Sequence, residues 1–306
     1  MASLDLIGNT RLVPLSHVAL SSGARLLLKL ELENPTGSMK DRMALAMIEA
    51  AERDGRLPPD GRVVEYTGGS TGVSLAHVCA AKRLPLHLVT SDAFSIEKRR
   101  HMAALGAELT LIPSPTGGTT RALTERMIAT AHRIADERDA FWTDQFNNTD
   151  VLPGYARMAD EIDRDAGGRI GAFVQMVGTA GSIRGTSARL RELHPGVQVI
   201  AVEPAESPVL SGGPAGSHGI EGCGPGFVMP MWAGVEPDEV MTVSTADAMA
   251  MARRLAREEG IFAGTSTGGN VVAALRVAER LGAGQTVVTV AIDSGMKYLS
   301  TSLYGG

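Results

Sequence analysis

The sequence predicts an α/β protein of two lobes, each a mostly parallel twisted sheet flanked by helices. Three observations predict it. Short apolar strands alternate with amphipathic helical stretches along most of the chain, the pattern of parallel sheets covered on both faces. The chain has 306 residues, too long for one small domain and suited to two lobes. A polar stretch, Gln145-Phe-Asn-Asn-Thr-Asp150, interrupts the alternation near the middle. The expected division is a small mobile lobe over residues 41–148 and a large lobe built from residues 1–40 and 149–306.

Residues 7–15 read as a turn and a short strand, and 25–30 as a strand. The stretch Asn34-Pro-Thr-Gly-Ser-Met-Lys-Asp-Arg42 reads as a turn opening a helix, whose apolar run continues from 44 to 56. Strands are expected at 62–66, 86–90, 107–112 and 140–143, with helices at 73–82, from 95 to near 106, and at 120–137. A loop is expected at 113–118. Beyond the polar break come a helix at 155–165, a buried strand at 171–177, a helix ending at 193 and a strand at 198–202. Residues 204–230 are rich in glycine and proline and are expected to be mobile. Helices at 246–259 and 273–281 and a buried strand at 285–292 complete the chain.

Composition narrows the functional classes. The chain is 44% hydrophobic and 21% charged, which supports a sizeable core in a soluble protein. A net charge of −5 argues against nucleic acid as the main partner. No apolar run is long enough to span a membrane, and Met1-Ala-Ser-Leu-Asp5 does not start a signal peptide. Cys79 and Cys223 are the only cysteines, so neither a disulfide framework nor a cysteine-rich zinc site is expected. The histidines show no metal-ligand spacing, and there is no G-x-S-x-G, so no metal is expected and a serine hydrolase is unsupported. A cytoplasmic location is the expectation.

Four stretches carry chemistry. Ser38 reads as the N-cap of a helix and Asp41, three residues on, completes a capping-box pattern. Lys40 then lies in the first turn, where the helix dipole disfavours a cation. That field together with burial favours the neutral amine, the form that makes a Schiff base with an aldehyde. Taken alone, the stretch reads more simply as an exposed lysine extending away from the helix end. Thr67-Gly-Gly-Ser-Thr-Gly72 and Gly178-Thr-Ala-Gly-Ser182 each lie between a strand and a helix. Backbone N–H groups at such helix starts bind anions, and hydroxyls add donors; a tight turn needing glycine for geometry has the same appearance. Asp293-Ser-Gly295 follows the last strand and reads either as a helix cap or as a ligand contact by Ser294. Glu97-Lys-Arg-Arg100 reads as a solvated helix face.

Together and in this order, these pieces resemble one family. Ile7-Gly-Asn-Thr10, Asn34 to Ser38 with Lys40-Asp-Arg42, Gly178 to Ser182, Val202 to Gly213, Gly219-Ile-Glu-Gly222 with Gly224-Pro-Gly-Phe227, and Asp293-Ser-Gly295 with Tyr298-Leu-Ser-Thr301 are similar to the cysteine synthase and cystathionine β-synthase family. Within it the likeness is nearest to O-acetylserine sulfhydrylase. The resemblance implies the fold-type II, tryptophan synthase β-like architecture, with a substrate-binding small lobe, a cofactor-binding large lobe and a homodimer. It implies pyridoxal 5'-phosphate as cofactor, joined to Lys40 as a Schiff base, with Lys40 also the catalytic base. Gly178, Thr179, Ala180, Gly181 and Ser182 would hold the phosphate, Ser294 would face the pyridine nitrogen, and Ser70 would approach the cofactor. Thr67, Gly68, Ser70, Thr71 and Gln145 would bind the substrate carboxylate.

The implied reaction is β-replacement on an O-activated L-serine, passing through an aminoacrylate. O-acetyl-L-serine with sulfide, giving L-cysteine and acetate, is the first expectation. A specialised enzyme using O-phosphoserine, or making 2,3-diaminopropionate or an S-substituted cysteine, is the alternative. A serine or threonine dehydratase, or a binding protein that has lost activity, comes after these. Where this chain has Gly68, Gly69 and Ser70 the family usually has Ser-Gly-Asn, and Asn147-Asn-Thr-Asp150 replaces a usual Glu-Asn-Pro-Ala-Asn-Pro. Arg11 and Met39 also depart from the pattern. No Lys or Arg occurs from Glu192 through Ala252, which counts against a phosphorylated donor.

Overall fold

The computed structural model describes residues 3–18, 23–115, 117 and 120–305. Thr116 and Gly118 of the expected loop, and Met1 and Ala2 of the N-terminal stretch, lie outside the described residues. In chain order the elements are β1 (Leu12–Pro14), β2 (Arg25–Lys29), α1 (Lys40–Asp54), β3 (Val63–Tyr66), α2 (Ser70–Lys82), β4 (Leu86–Ser91), α3 (Ile96–Ala104), β5 (Glu108–Ile112), α4 (Arg121–Arg138) and β6 (Phe141–Trp142). Then follow α5 (Val151–Ala166), β7 (Ala172–Met176), α6 (Gly181–Leu193), β8 (Gln198–Pro204), β9 (Glu239–Val243), α7 (Thr245–Arg254), α8 (Thr265–Leu281) and β10 (Thr286–Val290).

The strands form two sheets. One has the order β1-β2-β10-β7-β8-β9 and is parallel except for the β1–β2 pair. The other has the order β5-β4-β3-β6 and is wholly parallel. In β3, β4 and β7 every residue is buried, because helices cover both faces. That is why these strands read as continuous runs rather than alternating ones. The order of both sheets follows from β-strand, helix, β-strand crossovers, which return each strand parallel to its neighbour.

Local differences from the sequence reading have identifiable causes. α1 begins at Lys40, and among the described residues the side chain of its N-cap residue, Met39, makes no capping hydrogen bond. Ser38 Oγ accepts from Lys40 N at 3.3 Å, while the Asp41 carboxylate reaches back past it to Thr36, accepting from its N at 2.8 Å and its Oγ1 at 2.6 Å. The expected capping box is thus replaced by a brace across the turn. α8 starts at Thr265 rather than 273, since Thr-Ser-Thr-Gly-Gly looks like loop but is buried helix here. α5 starts at Val151, directly after the polar break, and β9 is a strand the pattern did not single out. Segment 204–230, expected to be mobile, is tied down. The Glu203 carboxylate accepts from Leu210 N at 2.7 Å and Ser211 N at 2.9 Å, and His218 Nε2 lies 2.8 Å from Gly224 O. Among the described residues no helix is long and apolar enough to cross a membrane.

Candidate active site

A cavity of about 590 Å³ lies where the carboxyl ends of β3, β7 and β10 converge, the end at which parallel α/β sheets bind ligands. Each strand contributes the loop that follows it. Gly68, Ser70 and Thr71 come after β3, Gly178 and Thr179 after β7, and Ile292 and Asp293 after β10. Lys40 enters from the first turn of α1, and Gln145 from the polar break.

Lys40 is 8% exposed and lies in the cavity. Burial lowers its pKa to about 8, an effect that Asp293 opposes and Lys98 reinforces. The shift is in the direction the sequence predicts: the neutral amine, negligible at pH 7 for an ordinary lysine, becomes a minor but accessible form, roughly a tenth of the population.

The β3–α2 loop is a braced turn. Thr67 is buried and outside the cavity lining; its Oγ1 accepts from Gly69 N and Gly72 N, both at 2.9 Å. Thr71 Oγ1 donates to Gln145 Oε1 at 2.9 Å, and Gln145 Nε2 donates to Tyr66 O at 2.8 Å. Buried Glu65 fixes this arrangement, accepting from Thr143 Oγ1 at 2.5 Å and Gln145 N at 3.0 Å. Burial raises the pKa of Glu65 to about 7 despite those bonds.

The β7–α6 loop is built for close approach. A Cβ on Gly178 would collide with the Gly222 carbonyl, so only glycine lets the two backbones meet beside the cavity. Ala180 sits at the N-cap of α6 with φ +69, and Gly181 packs on Val151. Ser182 Oγ accepts from Gln175 Nε2 at 2.6 Å. Ala180, Gly181 and Ser182 thus stand behind Gly178 and Thr179, outside the cavity lining.

Ser294 is not in the cavity. Its Oγ accepts from Met296 N at 3.3 Å, capping a 3₁₀ turn, and it lines a separate hollow with Lys297 and His101. Ser266, in the first turn of α8, lines the cavity, as do Ser70 and Ser217. The sequence signal for it was the Thr265-Ser-Thr-Gly-Gly269 run before an apolar helix, which has the same form as the other two loops.

Lys98 also departs from expectation. Read as solvated, its side chain is 3% exposed and lines the cavity. Its Nζ lies 2.6 Å from Glu221 Oε2 and 4.3 Å from the centre of the Tyr298 ring. Its stem passes so close to Gly69 (φ +135) that a Cβ there would overlap Lys98 Cδ. The available signal was the i, i+4 pair of Lys98 with Met102, the buried stripe of α3. Cys223, in the glycine-rich segment, lines the same cavity, and burial pushes its thiol up.

Fold and site together define an α/β protein of two mostly parallel sheets with a buried amine in the cleft between them. The comparisons make this specific. Residues 4–293 match the family described as pyridoxal-phosphate dependent enzyme. A cysteine synthase from Staphylococcus aureus is 40% identical over 303 residues, covering 98% of this chain and 96% of the relative. A probable cysteine synthase from Bacillus subtilis is 40% identical over 312 residues, with the same coverage of 98% and 96%. Among solved structures, O-ureido-L-serine synthase superposes with a TM-score of 0.92 at 35% identity, over 99% of this chain and 95% of that one. Cysteine synthase from Entamoeba histolytica gives 0.91 at 35% identity, over 99% and 90%. The chain belongs to the pyridoxal-phosphate dependent enzymes, among the cysteine synthases and their relatives.

Proposed function

We propose that this protein catalyses β-replacement on O-acetyl-L-serine, with sulfide as nucleophile, to give L-cysteine and acetate. The observation that carries it is Lys40, a buried amine lowered to about 8, in one cavity with Gly178 and Thr179 and with Gly68, Ser70 and Thr71. The residues fit pyridoxal 5'-phosphate. Lys40 would bind its aldehyde carbon, Gly178, Thr179 and the start of α6 its phosphate, and Ser266, which lines the cavity where Ser294 does not, would face its ring nitrogen. When bound, the cofactor delocalises the negative charge left at the substrate Cα after proton loss.

The chain's own residues do the rest. Lys40, once free, takes the Cα proton. The backbone N–H groups and hydroxyls of the Gly68–Thr71 loop, with Gln145, orient the substrate carboxylate. Those hydroxyls and that amide are cross-braced in this structure, so binding exchanges Thr71–Gln145 contacts for contacts with substrate. Closure of the small lobe (residues 41–148) on the large one (1–40 and 149–306) would exclude water while the β-substituent is exchanged. Lys98 brings a cation into the cavity that the 192–252 segment lacks, but Glu221 already pairs with it, so an acetylated donor remains the favoured substrate. The homodimer and cytoplasmic location implied by the resemblance complete the proposal; light scattering on the purified protein tests the dimer.

The test is an absorbance titration of the cofactor-loaded protein with O-acetyl-L-serine, then sulfide. The expected result is a spectral change on adding the donor that reverses with sulfide while L-cysteine and acetate accumulate. A cofactor spectrum indifferent to O-acetyl-L-serine refutes the donor and moves the assay to O-phosphoserine, serine and threonine.

A further inference from the structure

Asp293 is a buried acid in the cavity to which the reaction above gives no task. Its backbone is bridged to Ser38, two residues before Lys40. Met39 N donates to Ile292 O and Ser294 N to Gly37 O, both at 2.9 Å, so the Lys40 turn and the Asp293 turn are stitched together from both sides. The Asp293 residue is 3% exposed and lines the cavity with Lys40. Its Oδ2 accepts from Tyr298 Oη at 2.8 Å and from Ser70 Oγ at 3.1 Å. Its Oδ1 is buried and has no hydrogen-bond partner among the described residues. Leaving a buried carboxylate oxygen without a donor is costly, so such an atom calls for a donor that arrives during function.

We propose that Asp293 is a positioning residue for Lys40, its free Oδ1 receiving the ε-ammonium whenever the lysine carries a proton. The proposal rests on Lys40 acting as the base. When Lys40 takes the Cα proton, the C–H bond breaks, an N–H bond forms and the electron pair stays with the substrate. The amine has become an ammonium in a buried cavity, where an unpaired charge is penalised. Asp293 accepts a hydrogen bond from that ammonium, and the proton remains on nitrogen. Because Ser70 holds the other oxygen, the substrate-binding loop is tied to the same carboxylate.

The surroundings leave this task to Asp293. Lys40 faces Asp293 from the loop after β10, Cys223 from the glycine-rich segment and Lys98 from α3. The thiol of Cys223 is held protonated by burial, and Lys98 is a like charge paired with Glu221. Lys297 also feels Asp293, but it lines the separate hollow behind the Asn34–Gly37 turn.

The experiment reads the proton directly, without turnover. The full chain, freed of cofactor, is reacted with dinitrofluorobenzene from pH 6 to 10, and labelling of Lys40 is followed by peptide mass spectrometry. Only neutral amines react, so the labelling midpoint reports the lysine's proton affinity. Asp293→Asn is expected to lower that midpoint by roughly one unit or more, the effect of removing an opposite charge nearby. Asp293→Glu, which keeps the charge, is expected to hold the midpoint nearer the wild-type value. Tyr298→Phe, which removes an anchor but not the charge, is expected to lower stability more than it moves the midpoint. Asp293→Ser replaces the amide variant if that fails to fold. An unchanged midpoint in a folded Asp293→Asn protein, or an Asp293→Glu midpoint as low as that of the amide, overturns the proposal. A shifted midpoint in a protein that does not turn over O-acetyl-L-serine overturns the proposed function instead and leaves the Asp293–Lys40 pairing standing.

Discussion

Replacing Glu161 by glutamine removes one negative charge from a buried cluster while leaving its volume nearly unchanged. Glu161, on α5, accepts from Arg42 Nη1 at 2.8 Å and Arg42 Nη2 at 2.7 Å, and its Oε2 lies 2.7 Å from Lys29 Nζ. Arg42 also pairs with Glu31 at 2.7 Å, so β2, α1 and α5 are joined through four charges. Burial by itself would push the Glu161 carboxyl up, but Arg42 and Lys29 outweigh it and bring the pKa from 4.5 to about 2. That difference corresponds to about 3 kcal/mol of stability. The sign follows from proton binding. Between pH 4.5 and 2 the unfolded chain binds a proton that folded Glu161 does not, so this stability is complete above pH 4.5 and is lost as pH falls towards 2. Urea unfolding of wild type and Glu161→Gln, followed by circular dichroism from pH 3 to 7.5, measures it. The expected difference is about 3 kcal/mol at neutral pH, shrinking as the pH approaches 2. Equal stabilities at neutral pH, or a difference that stays constant across the acid window, would refute the reasoning.

Other predictions concern the cavity. Lys40→Ala is expected to abolish turnover and borohydride-fixed cofactor attachment, checked by activity and intact mass; an active variant would sink the mechanism. In wild type, the rate of cofactor attachment to the cofactor-free chain is expected to rise with pH and level off above about 8, as the amine becomes neutral. Gly178→Ala is expected to weaken cofactor affinity at least about tenfold in an absorbance titration, since its Cβ would collide with the Gly222 carbonyl, which is backbone and does not yield easily. Lys98→Met keeps the stem beside Gly69 but loses the pair with Glu221. It is expected to raise KM for the amino-acid substrate severalfold with little loss of fold stability, read by steady-state kinetics and thermal melting.

Much of the arrangement was legible in the chain. Strand and helix alternation is a local property of apolar spacing, and the glycine-rich turns announced themselves by composition, so Lys40, the β3–α2 loop and the β7–α6 loop all stood out. The buried strands were readable because helices on both faces demand continuous apolar runs. The start of α8 was not, because Thr265 to Gly269 has loop-like composition and becomes helix only through tertiary packing.

The sequence by itself placed Lys40 at a helix start and the Gly68–Thr71 and Gly178–Ser182 loops between a strand and a helix. It did not determine which of two adjacent side chains faces inward. Asp293 and Ser294 are neighbours, yet one lines the cavity and the other caps a turn outside it. Lys98 lies in a charged run, yet the approach of Glu221, from the loop after β8, and Tyr298, from the turn after β10, buries it. Those choices rest on contacts between residues far apart in the chain, such as Ser70 with Asp293 and Lys98 with Glu221. Local spacing carries no record of such contacts, because the cost of burying a charge depends on whether its partner, supplied by another part of the fold, is there to meet it.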